Sequence, residues 1–153
     1  MRGTAFSTYL GATMRTILLP VDGSENSSRA VQRAIKLCKE GDVKLHVVTV
    51  FPPIVSGNVK SFFSAEELQS YYREEGEKAL SPAKALLDTA GVSYESEVLV
   101  GPIAQTIADY ANKKQADTII MGTRGLGTVT GMLLGSVTTK VLSLVDIPVL
   151  LVK

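Results

Sequence analysis

The stretch from Met121 to Val137, MGTRGLGTVTGMLLGSV, holds five glycines and one charged side chain, Arg124. Glycine lets backbone amides approach an anion with no Cβ in the way, and successive amides can form an anion-binding concavity. Gly135 and Ser136 then open a helical stretch, whose first N–H groups and dipole favour phosphate. Arg124 would add charge-assisted hydrogen bonds, with Thr123, Ser136 and the Val137 amide as neutral donors. A surface loop whose glycines only make turns has the same composition, so glycine content alone does not decide. The Walker A order, Gly-x-x-x-x-Gly-Lys-Ser/Thr, is absent. Pro20-Val21-Asp22-Gly23-Ser24 stands where a dinucleotide fold would carry Gly-x-Gly-x-x-Gly after its first strand. Ordinary P-loop hydrolases and Rossmann dehydrogenases are therefore disfavoured.

The other reactive side chains exclude more than they offer. One cysteine, Cys38, cannot form an internal disulfide, and one histidine, His46, leaves few ligands for zinc. His46 reads as mid-strand, a packed or hydrogen-bonded residue rather than a catalyst. Cys38 falls on the apolar face of a helix and is expected to be buried and inert. Lysine and arginine number 16 against 15 acidic residues, a net charge of +1, so binding of nucleic acid by charge is not expected. No apolar run reaches the roughly 18 residues of a membrane span, and the first residues lack a signal peptide's apolar stretch. The expected compartment is the cytoplasm, with no membrane insertion.

The elements that must position the glycine loop follow from hydrophobic period. Ile17 to Val21, Val43 to Phe51, Val92 to Val100, Thr118 to Met121 and Ile147 to Val152 are short apolar runs, mostly continuous as buried parallel strands require. Between them lies helical period. Ala30, Val31, Ala34, Ile35, Leu37 and Cys38 share one face, and Gly41 closes that helix. Ser64-Ala65-Glu66-Glu67 is a capping box that opens a second helix running to Gly91. Pro82 either kinks it or starts a further helix behind a Ser81 cap. Two more helices follow Gly101-Pro102 and Gly135-Ser136. Strand and helix alternate throughout, which means an α/β domain with a parallel sheet and right-handed crossovers. Residues 15–153 form this single domain, and residues 1–14 are a leader or extension. The long connections, Pro52 to Phe63 and Gly122 to Leu134, lie at strand carboxyl ends, where open α/β sheets bind ligands.

The loop's spacing is more specific than its composition. Gly122, two residues, Gly125, nine residues, then Gly135-Ser136 resembles the nucleotide-binding signature of the universal stress protein family, in its ATP-binding branch. Further matching pieces are Ile17-Leu18-Leu19-Pro20-Val21-Asp22-Gly23-Ser24, Leu45-His46-Val47-Val48, Ala116-Asp117-Thr118-Ile119-Ile120-Met121-Gly122 and Ile147-Pro148-Val149-Leu150-Leu151-Val152. The resemblance covers Arg15 to Lys153 and implies an open five-stranded parallel sheet, ordered 3-2-1-4-5, with helices on both faces. In that order strands one and four are neighbours at the topological switch point, so Asp22 and Gly122 would face one crevice. Pro20, Val21 and Asp22 would then line the adenosine end, with Asp22 reaching ribose or base, unless it only caps the first helix. Val47 would offer backbone groups to the adenine edge. Met121 and Gly122 would flank the nucleoside, and Gly125, Gly135, Ser136 and Val137 would hold phosphates. Arg124 and Thr123 come from the charge and donor argument, not from the resemblance.

The expectation is thus an ATP- or adenine-nucleotide-binding module acting as a regulator or sensor in a stress response. ATP, ADP or AMP would occupy it, with magnesium or manganese bridging the phosphates. The alternative is a slow ATP hydrolase or a nucleotidyl-transfer enzyme, disfavoured because no general base, arginine finger or invariant lysine is in view. The last strand, Ile147 to Val152, would be an exposed sheet edge. Similar proteins dimerise there by antiparallel pairing, so a homodimer is expected. A further, unidentified protein partner also fits, and Phe62 and Phe63 are either a lid over the nucleotide or a contact for that partner.

Overall fold

The computed structural model describes residues 13–54, 57, 62–125, 131 and 133–153. Residues 1–12 of the expected leader, and parts of both long connections, lie outside the described residues. The order is β1 (Arg15–Pro20), α1 (Glu25–Glu40), β2 (Val43–Phe51), α2 (Ala65–Thr89), β3 (Glu95–Val100), α3 (Ile103–Lys113), β4 (Thr118–Gly122), α4 (Ser136–Leu144) and β5 (Val149–Val152). The strands form one five-stranded sheet, ordered β3-β2-β1-β4-β5. Every described pairing is parallel. The expected fold and strand order are both present.

The apolar runs are continuous because each central strand feeds two cores. Side chains alternate across a strand. Ile17, Leu19 and Val21 therefore pack with Leu45, Val47 and Ile120 against Ala30, Val31 and Ala34 of α1 and Leu80, Ala83 and Leu87 of α2. Leu18, Val48, Ile119 and Met121 face the other way, onto Ala104, Ile107, Tyr110 and Ala111 of α3 and Val141 of α4. Leu18 and Leu19 are each fully buried, on opposite faces. Asp117 fixes the entry to β4: its carboxylate accepts the Thr16 N–H at 2.7 Å and its own N–H donates to the Thr16 carbonyl at 2.8 Å.

Helix starts follow their caps. The Ser64 hydroxyl accepts the Glu67 N–H at 3.1 Å, and the Glu67 carboxylate accepts the Ser64 N–H at 2.6 Å, completing the expected capping box. From there α2 runs unbroken through Pro82. Position 82 is exposed, so the ring faces solvent while Leu80, Ala83 and Leu87 stay buried. No second helix starts at Ser81. Close approach of α2 to β3 is set by Gly76, where a Cβ would collide with both methyls of Val98.

Strand bounds differ from the sequence reading at four of the five strands, β4 by one residue, since it runs on through Gly122. The first strand spans Arg15–Pro20, although the Val21 N–H still donates to the Val48 carbonyl at 2.8 Å. β3 begins at Glu95 rather than Val92, because the Val92 N–H closes the end of α2 on the Leu87 carbonyl. β5 begins at Val149, while Pro148 contributes only its carbonyl, which accepts the Ile119 N–H at 3.0 Å. Cys38 is half-buried rather than buried, and burial pushes its thiol above the ordinary value. His46 is buried as expected, edge-on to the Tyr110 ring at 6.2 Å.

Candidate functional site

Two polypeptide turns at the carboxyl end of the sheet make the site, one after β1 and one after β4. After β1 the chain must reverse into α1 within Asp22, Gly23 and Ser24. Gly23 takes φ +81°, a left-handed conformation that glycine adopts without penalty. Asp22 organises the turn. Its Oδ1 accepts the Ser24 N–H at 2.9 Å and the Ser27 hydroxyl at 2.7 Å, while its N–H donates to Ser27 Oγ at 3.0 Å. Ser24 is the N-cap of α1 and accepts the Ser27 N–H at 3.2 Å. The helix-organising role weighed for Asp22 is therefore real. Its second oxygen, Oδ2, faces Gly125, where any Cβ would collide with it.

After β4 the backbone is threaded between α1 and β5. A Cβ on Gly122 would stand 3.0 Å from Asn26 Cβ and 3.2 Å from its carbonyl carbon, so glycine lets α1 and β4 meet. The Gly122 carbonyl accepts the Thr138 hydroxyl at 3.0 Å. Thr123 is buried and bridges two elements, its N–H donating to the Val152 carbonyl at 3.0 Å and its carbonyl accepting the Gly135 N–H at 2.7 Å. That second bond sets Gly135 as the N-cap of α4, with no side-chain cap. The N–H groups of Ser136, Val137 and Thr138 follow as the first amides of the helix. Among the described residues no backbone acceptor takes them, so they retain donor capacity at the positive end of the α4 dipole.

Between the two turns lies a cleft of about 800 Å³, within the range of small-molecule sites. Of the residues singled out from the sequence, Pro20, Val21 and Asp22 line it from the β1 side, and Met121, Gly122, Arg124 and Gly125 from the β4 side. Gly135, Ser136 and Val137 bring the start of α4 to the same cleft. Two do not line it. Thr123 is turned inward, its hydroxyl buried and without a hydrogen-bond partner among the described residues. Val47 is buried in mid-strand, in register with Ser96 of β3.

Backbone parity explains the position of Val47. On β2 the Val48 carbonyl points to β1, where it accepts the Val21 N–H, and the Phe51 carbonyl points to β3, where it accepts the Gly101 N–H at 2.9 Å. Alternate residues face alternate sides, so the main chain of Val47 belongs to β3. Val50 instead points past the end of β1, and it lines the cleft.

The cleft also contains residues that no local motif marked. Ile103 and Ile107 of α3 add to its apolar lining, and their spacing of four on a helix is the signal that could have found them. Glu75 and Lys78 of α2 reach it from more than 40 residues upstream of the glycine loop, and only the fold brings them there. Phe62 and Phe63 are exposed and do not line the cleft.

Residues 13–153 match the family model described as the universal stress protein family. A universal stress protein of Methanocaldococcus jannaschii is 35% identical over 139 residues, covering 91% of this chain and 82% of that protein. One from Thermus aquaticus is 38% identical over 140 residues, covering 91% and 98%. Among solved structures, a universal stress protein crystallised in complex with cAMP superposes with a TM-score of 0.68 at 28% identity, covering 91% of this chain and 97% of that one. Fold, motif order and full-length similarity agree, and the chain belongs to the universal stress protein family.

Proposed function

We propose that this protein is an adenine-nucleotide-binding regulatory module, taking ATP, ADP or AMP and acting as a sensor in a stress response. The observation that carries the reading is the start of α4. Ser136, Val137 and Thr138 present amides at a helix N-terminus in the same cleft as Arg124 and Gly125, an arrangement that favours a phosphate chain. The complex of a related universal stress protein with cAMP supports an adenine nucleotide as the ligand.

Each end of such a ligand has a matching wall. Phosphates would lie on the amides of Gly125, Ser136 and Val137, with Arg124 adding charge. The base would pack among Val21, Val50, Ile103 and Met121, all of which line the cleft, and the open main chain of Val50 would meet its polar edge. Asp22, with Pro20 and Val21, would sit at the nucleoside. Gly122 keeps the floor thin enough for this approach. Thr123 acts from behind, holding Gly135 in place through its carbonyl.

Magnesium or manganese fits as a phosphate-bridging ion held mostly by the nucleotide and water, since no group of three or more His, Cys, Asp or Glu lies together among the described residues. Bound there, the ion would neutralise phosphate charge. Homodimerisation through β5 is part of the same proposal. The strand pairs with β4 on one side, and each residue from Val149 to Val152 is partly exposed, which leaves an edge open to a second copy. Among the described residues no helix is long and apolar enough to cross a membrane, and the cytoplasm is the proposed site of action.

Calorimetric titration of ATP, ADP and AMP into nucleotide-free protein tests the reading. Saturable binding with one site per chain supports it, and the absence of heat with all three at millimolar concentration overturns it.

A further inference from the structure

Charge sorts the groups that line the cleft. Arg124 and the α4 amides form a positive end, Val50, Ile103, Ile107 and Met121 an apolar region, and α2 contributes one carboxylate and one ammonium. These last two are paired, Lys78 Nζ lying 2.7 Å from Glu75 Oε1, with Glu74 Oε1 3.5 Å from the same Nζ. The hydrogen bond to Glu75 holds the Lys78 ammonium above its ordinary pKa. The pair reaches the cleft because α2 crosses the turn after β1: a Cβ on Gly23 would stand 3.5 Å from the Cα and carbonyl oxygen of Ala79. Glu75 and Lys78 therefore flank the Asp22 turn, and α4 lies on the opposite face of the sheet.

A lysine held by two carboxylates brings no net positive charge, which makes it a poor phosphate ligand. A carboxylate beside an ammonium offers an acceptor next to a donor without surplus positive charge, the complement of neutral hydroxyls. Asp22, the other acid lining the cleft, accepts two hydrogen bonds at Oδ1. We propose that Glu75, positioned by Lys78, accepts a hydrogen bond from the ribose 2′-hydroxyl, so that the cleft prefers ribonucleotides to 2′-deoxyribonucleotides. The inference rests on the nucleotide-binding reading and adds a sugar-specificity residue from α2, outside the glycine motif.

The test is titration of AMP and 2′-deoxy-AMP into the full-length chain as wild type, Glu75→Ala and Lys78→Ala. Wild type is expected to bind AMP about five- to tenfold tighter than 2′-deoxy-AMP, as one partly exposed hydrogen bond to a charged group allows. Glu75→Ala weakens AMP to the level of 2′-deoxy-AMP and leaves 2′-deoxy-AMP unchanged. Lys78→Ala shrinks the same ratio by freeing Glu75. Equal wild-type affinities, a ratio that survives Glu75→Ala, or a parallel loss of both ligands in that variant each overturn the assignment while leaving nucleotide binding intact. Failure of wild type to bind either nucleotide overturns the nucleotide-binding reading, and the sugar assignment with it.

Discussion

The Gly135 N–H donates to the Thr123 carbonyl at 2.7 Å, tying the exit of β4 to the entrance of α4. This bond brings the two ends of the glycine-rich connection together, so Arg124 and Gly125 stand beside the first amides of the helix. The proposed anion site would thus be built of backbone placed through this one hydrogen bond, with glycine at position 135 leaving its front clear.

Gly135→Val separates binding from folding. Position 135 has φ −70°, and a Cβ there would meet Arg124 Cα at 3.5 Å and Thr123 O at 3.6 Å, ordinary contact distances. The backbone accommodates a Cβ there, and the expected cost to stability is about 1 kcal/mol for a poor N-cap residue. The expected result is a folded protein by circular dichroism that has lost nucleotide binding by calorimetry. Unchanged ATP affinity would remove the α4 start from the site. Gly122 is a poorer probe, because a Cβ there presses on Asn26 backbone and would damage the fold as well.

Arg124→Ala is expected to weaken ATP about tenfold, the scale of one charge-assisted hydrogen bond on a partly solvated phosphate. Adenosine should bind both proteins alike. The wild-type advantage should shrink as salt rises, since exposed charge is screened. A variant that loses adenosine and ATP equally would mean that Arg124 supports the loop rather than the phosphates.

Gly76→Ala opposes two effects of known size. Helix propensity favours alanine by about 1 kcal/mol, whereas forcing a methyl into a filled core costs about 1 to 3 kcal/mol. Because that methyl collides with the branched side chain of Val98, destabilisation should win in urea denaturation. Val98→Ala in the same chain should recover much of the loss, a non-additivity that identifies the contact. Simple additivity of the two changes would contradict it.

His46 makes stability fall with acid. Its ring is 1% exposed, and burial lowers its pKa from the ordinary 6.5; Glu95 and Glu97 oppose the shift, and Lys44 and Lys114 add to it. Nδ1 lies 3.2 Å from Glu95 Oε2, yet among the described residues it has no hydrogen bond of acceptable geometry, so the carboxylate does not cancel the burial. Below about pH 6.5 the unfolded chain takes up a proton that the folded chain resists, so this stability is full above that pH and is lost towards the lower folded-state value. The urea midpoint should therefore drop between pH 7 and 5. As His46 is the only histidine, His46→Leu should flatten that drop. An unchanged slope in the variant would exclude His46 as the cause.

Central strands are legible in sequence because both of their faces are buried. Edges are less so. Val92 and Tyr94 read as strand because they are apolar, yet they pack at the end of α2, where Gly91 takes φ +69° and the Val92 N–H bonds the Leu87 carbonyl. Pro82 left two readings open because its missing N–H predicts disruption, whereas burial on both sides of it kept one helix. At the site, the glycine spacing carried Gly125, Gly135 and Ser136 to the cleft, since those positions belong to one continuous backbone feature. Glu75 and Lys78 had no such signal, because a long helix and the sheet register must form before they meet the turn after β1. The backbone direction of Val47 depends on which neighbour each β2 residue faces, and an apolar run does not encode that parity.

Titration of ATP into nucleotide-free wild type alongside Gly135→Val, with both shown to be folded, tests whether a nucleotide is held at the start of α4. Saturable binding to wild type and none to the variant is the predicted result. Equal binding by both, or binding by neither, would contradict a nucleotide cleft built on the start of α4.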